Sequence, residues 1–198
     1  MEQTVRMDIP LDKSWRLLNH GPTVLVSTAH GSRRNVMSAA WSMPLDFSPP
    51  KIAIVIDKAT LTRELVEASG EFALCIPSRA QAAAVVWAGH HSGQDFSGDK
   101  FDQAGLNTFP ATRVAAPLVE GCLGWLECKV IAEPEIQNKY DLFLAEVIAA
   151  QADSRIFRDG HWQQDAEAPR SIHYIAGGQF FETGEMFDAN ADQPFPAQ

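Results

Sequence analysis

Small residues crowd a stretch where a strand would ordinarily carry bulk. Ser38, Ala39, Ala40 and Ser42 lie between Met37 and Met43, with Trp41 the one large side chain among them. That composition leaves backbone N–H and C=O groups open to a flat molecule lying against them. Trp41 and Met43 offer apolar and sulfur surface beside the gap. Further on, Lys58, Thr60 and Thr62 stand where a new segment begins. Leu61, Leu65 and Val66 recur there at helical spacing, Thr60 suits an N-cap, and Gly70 suits a C-terminal stop. A helix N-terminus carries free N–H groups and the positive end of its dipole, so these three side chains make a phosphate cradle. Each charge-assisted bond contributes roughly 1.5–3 kcal/mol, against the roughly 8 kcal/mol that micromolar affinity requires. The chemistry indicated is the holding of a flat, phosphorylated molecule.

The elements that must position these residues are mostly strands. Residues 24–30 read as a strand, Gly31-Ser32 as a turn, and 35–43 as the strand returning beside it. Pro44, Pro49 and Pro50 are expected to end that pairing, and the apolar run 52–56 suits a strand covered on both faces. Ahead of them, residues 12–18 read as a short helix stopped at Gly21-Pro22. Residues 71–77 form the next strand, and Ser78 caps an alanine- and valine-rich helix through Ala88 that is expected to carry packing alone. The chain then enters its most polar loop, 89–102. Residues 115–152 read as paired strands, with Gly121 and Gly124 suited to a bulge or barrel corner and Tyr140 at the head of the second strand. A small hairpin turns at Asp159-Gly160, and 172–181 makes a closing block around Gly177-Gly178. Residues 1–182 are assigned to one domain and 183–198 to a tail.

Composition narrows the partners. With 198 residues and 45% hydrophobic side chains the chain is long enough for one core. The longest apolar run is too short to span a bilayer, and the start MEQTVRMDIP lacks the core of a signal peptide, so a cytoplasmic location is expected. A net charge of −9 argues against nucleic acid and anionic membrane. An anionic ligand then needs a local basic cluster, for which Arg33, Arg34, Lys58, Arg63 and Lys100 are available. Cys75, Cys122 and Cys128 form no C-x-x-C pair and read as reduced core residues. His90-His91 does not read as a metal site, since adjacent side chains diverge and no H-x-x-x-H or Cys/His set supports it. The serine in Gly89-His-His-Ser-Gly is misplaced for a hydrolase elbow, and neither G-x-G-x-x-G nor a P-loop is present.

Asn35-Val-Met-Ser-Ala-Ala-Trp-Ser-Met-Pro resembles the N-x-M-[ST]-x-x-W-x-x-P signature of the flavin reductase-like, FMN-binding split-barrel family, which includes flavoredoxin. LTRELVEASGEFALCIP, the Ser92-Gly93 to Asp99-Lys100-Phe101 loop, LGWLECKV and the closing block 172–181 follow in the family's order. The resemblance implies a mostly β fold with flanking α-helices, a split β-barrel, and a homodimer with sites at the subunit interface. It implies FMN held by Asn35, Met37, Ser38, Ala39, Ala40, Trp41 and Ser42 at the ring and by Lys58, Thr60 and Thr62 at the phosphate. Ser92, Lys100, Phe101, Tyr140 and Tyr174 are implied nearby, with Lys100 answering the charge that reduction leaves on the pyrimidine side. Where the family commonly has Gly-Asp-His, this chain has Asn138-Lys139-Tyr140, and a tyrosine does not become cationic near neutral pH.

The implied activity is an oxidoreductase, an NAD(P)H-dependent flavin reductase passing electrons through FMN to free flavin or another acceptor. The protein supplies orientation and electrostatics, and no side chain need act as acid or base. Two other readings stand beside it. One is a flavoredoxin-type carrier that exchanges electrons with a redox protein and has no nicotinamide activity. The other is a split barrel that binds haem or acts as a sensor without flavin turnover, which the scattered His20, His30, His161 and His173 leave open.

Overall fold

The computed structural model describes residues 6–17, 23–95, 97–163 and 168–188. The strands in chain order are β1 (Arg6–Asp8), β2 (Val24–His30), β3 (Arg33–Ala39), β4 (Ser42–Phe47), β5 (Pro50–Val55), β6 (Glu71–Ile76), β7 (Thr108–Phe109), β8 (Leu118–Val119), β9 (Gly124–Ile131), β10 (Leu142–Asp153), β11 (Phe157–Arg158), β12 (His161–Trp162), β13 (Ile172–Ala176) and β14 (Gln179–Glu182). The helices are α1 (Leu61–Ser69), α2 (Ala82–His90), α3 (Lys100–Gln103) and α4 (Pro134–Tyr140), with a 3-10 helix over Leu11–Leu17. No helix among the described residues is long and apolar enough to cross a membrane.

Seven strands form one path, β3-β2-β6-β9-β10-β5-β4, and β1 joins the side of β10. The neighbouring strands along it run antiparallel. Its two end strands, β3 and β4, are separated in the chain by Ala40 and Trp41 alone. Three peptide steps span at most about 11 Å, so the sheet must curl until its ends face each other. No ladder joins β3 to β4 among the described residues. The result is a barrel left open along one seam.

Period-two patterning builds this shape. Val24 and Val26 of β2 share one buried cluster with Phe72, Leu74 and Ile76 of β6 and with Ile52 and Ile54 of β5, while Leu25, Ala73 and Cys75 belong to a second. Strands distant along the path therefore meet over one interior, and the alternate residues meet the covering helices and loops outside. The second cluster takes in Val85 of α2 and Phe101 of α3. All three cysteines are free and buried, and burial holds the Cys122 and Cys128 thiols well above their ordinary value.

Several expectations change in detail. Pro44 does not end pairing: it lies inside β4, opposite Ile52, and is tolerated because β4 is an end strand whose outer side needs no donor. The strand expected over 35–43 is instead broken at Ala40–Trp41, the seam. Tyr140 does not head a strand but closes α4, and Asp141 follows in a left-handed conformation at φ 55°. Pro134 at the first helical turn was the legible start signal for that helix. The bulge lies between Val147 and Ala149, where β10 passes from β5 to β1 as its outer partner, and not at Gly121 or Gly124; Gly121 serves a turn at φ 76°. The helix expected near the start is 3-10 in form, and its stop at Gly21-Pro22 lies outside the described residues. So do His20, Phe96 and the end of the tail, 189–198.

Candidate functional site

A cavity of about 550 Å³ opens at the seam. Met37, Ser38, Ala39, Ala40 and Trp41 form one wall. Val85, Val86, Gly89 and His90 of α2 form another, recurring at the spacing of a single helical face. Tyr140 and Asp141 contribute from the end of α4, and Tyr174 and Phe180 from the β13–β14 hairpin. Trp41 is 76% exposed, so its indole is a free apolar surface.

Three local features hold these walls. Ser38 Oγ donates to the Val85 carbonyl at 2.6 Å, tying β3 to α2. A Cβ on Gly89 would stand 2.7 Å from that Oγ, so glycine is what lets the helix end approach the strand. The hairpin is anchored at its base: Thr23 N–H donates to the Ile172 carbonyl at 2.9 Å, and Tyr174 N–H to Thr23 Oγ1 at 2.9 Å. Tyr174 and Phe180 then meet edge to face, with ring centroids 5.4 Å apart.

Asp141 is placed from behind. Arg63, 4% exposed, donates to Asp141 Oδ1 at 3.1 Å, to the Gln137 carbonyl at 3.0 Å and to the Ile56 carbonyl at 3.1 Å, and lies 4.5 Å over the Phe143 ring. Arg63, expected in the anion-binding cluster, is instead a buried tie from α1 to the chain just past β5 and to α4. Arg34 is likewise engaged, paired with Asp99 and donating to Thr108 Oγ1 at 3.0 Å. Arg33 pairs with Glu64. Lys58 is exposed and makes no ion pair among the described residues.

Of the residues singled out in the sequence, Met37, Ser38, Ala39, Ala40, Trp41, Tyr140 and Tyr174 line the cavity. The others sit around it. Thr60 caps α1 as expected, accepting from the Arg63 N–H at 3.1 Å and donating to the Asp57 carbonyl at 2.8 Å. Thr62 is fully buried and accepts from Asn35 Nδ2 at 2.8 Å, so its hydroxyl ties α1 to β3. Among the described residues, Asn35 Oδ1 and Ser42 Oγ are buried without a hydrogen-bond partner. Ser92 Oγ accepts from the Gln94 N–H, and Gly93 packs over Asn35 where any Cβ would overlap it.

Lys100 and Phe101 do not line the cavity. Phe101 is fully buried in the outer cluster, and Lys100 donates to the Ala88 carbonyl at 2.9 Å. Burial pushes the Lys100 ammonium down from 10.5 to about 8, with Asp95 opposing the shift. Lys100 thus pins the end of α2, one residue before Gly89. Sequence reasoning missed the α2 face altogether, because alanine and valine at helical spacing read as core. The signal was there in Gly89-His90 following Val85-Val86 by four residues.

Residues 16–168 match the family described as flavin reductase like domain. The chain belongs to the flavin reductase-like, FMN-binding split-barrel family. The crystal structure of an FMN-binding domain of a flavin reductases-like enzyme from Shewanella baltica is 46% identical, with a TM-score of 0.91 and coverage of 96% of this chain and 100% of that one. Flavoredoxin of Desulfovibrio vulgaris (Miyazaki F) is 29% identical, with a TM-score of 0.74 over 89% of this chain and 92% of that one. The uncharacterized protein YddH of Escherichia coli is 43% identical, covering 91% of this chain and 96% of its own length. Within the flavin reductase-like fold, the seam is where this chain gathers its small residues, its exposed indole and its two tyrosines.

Proposed function

We propose that the chain holds FMN in the seam cavity and works as an NAD(P)H-dependent flavin reductase, passing electrons to free flavin or another acceptor. The observation that carries the reading is the cavity itself: small residues on one side, aromatic rings around the rim, and a volume within the roughly 300–1,000 Å³ of small-molecule sites. One further feature fits FMN. Asp57, which lines the cavity, leads into exposed Lys58, Thr60 and α1, so that lysine and the first turn of the helix would hold the phosphate of a molecule filling the cavity.

Bound FMN supplies the two-electron chemistry. The chain's part is to bind and orient: Met37–Trp41 backbone and the Trp41 indole hold the ring, Lys58 and the first turn of α1 hold the phosphate, and Tyr140, Tyr174 and Phe180 leave a face on which a nicotinamide can stack. The homodimer implied by the family is part of this proposal, and the exposed alternation of Met43, Leu45 and Phe47 on β4 supports it. A carrier function is the second reading, favoured by the 29% identity to a flavoredoxin, and it uses the same cavity.

An anaerobic titration of the FMN-supplemented protein with NADH and then NADPH tests the proposal through the visible flavin absorption. Bleaching well above the rate for free FMN is expected. Tight FMN binding without bleaching would give the carrier reading, and no flavin spectrum would end both.

A further inference from the structure

The seam cavity contains few groups able to carry charge. Asp57 and Asp141 line it as carboxylates, and Tyr140 and Tyr174 as phenols. Asp141 is already answered by Arg63 behind it, and Asp57 Oδ1 accepts from the Ala59 N–H at 2.8 Å. Among the described residues no lysine or arginine lines the cavity, and His90 is the remaining titratable group in the wall.

The backbone defines its tautomer. His90 Nδ1 lies 2.9 Å from the Val86 carbonyl, one turn back along α2. A carbonyl only accepts, so the proton must sit on Nδ1. Neutral His90 therefore carries its lone pair on Nε2, and any proton it gains goes there. The Lys100 bond to the Ala88 carbonyl and the Gly89–Ser38 approach fix where this end of α2 lies.

We infer that His90 is the cavity's charge-answering residue, taking a proton on Nε2 when a flavin held there is reduced. The inference rests on the FMN reading. A nicotinamide donor delivers two electrons and one proton; the ring is left with one negative charge, and the second proton is drawn from water by the imidazole. No bond forms or breaks on His90 beyond N–H. The groups lining the same cavity from other elements are Asp57, Asp141 paired with Arg63, Tyr140 and Tyr174, and from α3 the Lys100 ammonium lies on the Ala88 carbonyl two residues back along α2. On the packed hairpin are His173, whose protonation burial disfavours, and Glu182, paired with Arg79 at 2.8 Å. On β3, Arg33 and Arg34 lie at the strand's other end, paired with Glu64 and Asp99.

The test compares wild type, His90→Gln and His90→Lys by the affinity for oxidised FMN and the two-electron midpoint potential of the bound cofactor against pH. In H90Q the preference for the reduced over the oxidised form is expected to fall about tenfold, ~30 mV for a two-electron couple, with oxidised-FMN affinity little changed. H90K is expected to restore the preference without wild type's pH dependence. On wild type alone, the His90 Nε2 resonance is expected to move to its protonated position on anaerobic reduction. An unchanged potential in H90Q with FMN still bound, or an Nε2 that stays unprotonated, overturns the role of His90 and leaves the FMN reading standing. Failure of wild type to bind FMN overturns both.

Discussion

Two side chains show how differently exposed and buried groups act in this chain. Trp41 lines the cavity yet is 76% exposed, so it contributes little to folding and much to what the cavity holds. Trp41→Ala is expected to weaken FMN binding about tenfold, in line with the ~0.5–1.5 kcal/mol of an aromatic stacking contact, while the melting temperature stays near wild type; fluorescence titration and calorimetry read the two effects separately. Glu127 is the opposite case. It is 1% exposed, and its carboxylate accepts from the backbone N–H groups of Thr112, Arg113 and Val114 and from the Thr112 hydroxyl. Glu127→Ala strands three backbone donors and a hydroxyl at once and is expected to cost about 3 kcal/mol or more, read as a lower urea midpoint with FMN affinity unaltered if the fold survives. The sequence offered Trp41 through its small neighbours. It offered nothing for Glu127, because a glutamate within an apolar strand becomes meaningful only when a loop fourteen residues away folds back onto it.

Among the elements, those announced by local chemistry were legible. Thr60 and Gly70 bracket α1 with the cap and the left-handed stop that their residue types suggest, and Gly31 with Ser32 turns β2 into β3. α2 was legible as a helix and not as a cavity wall, since a face is chosen by what packs against it. Lys100 shows the same limit: its neighbours Asp99 and Phe101 placed it in a motif, but its ammonium is directed to the Ala88 carbonyl and buried. That burial gives α2 a pH signature. With the folded-state value lowered to about 8 from 10.5, the unfolded chain binds more protons between those values. The penalty of the buried charge is therefore full below about pH 8 and relieved as pH rises toward 10.5, so stability from this group increases across that window. Lys100→Met is expected to flatten that rise; urea midpoints of both proteins at intervals from pH 7 to about 10.5 show it as a converging difference.

At the scale of the whole molecule, alternation predicted a sheet with an inside and an outside, and the family motifs predicted a split barrel. The seam itself followed from neither. Reading 35–43 as one strand concealed it, because Ala40 and Trp41 are ordinary strand residues by type, and only the strand order shows that they join the two ends of the path. This join has a mechanical meaning. A closed barrel resists opening equally around its girth, but here one line lacks interstrand bonds, and the widest opening excursions should start along it. The cavity lies on that same line. Whatever fills it therefore works as a clasp as well as a ligand, drawing together two strands that the backbone connects but does not bond, and an emptied barrel should breathe most where it binds.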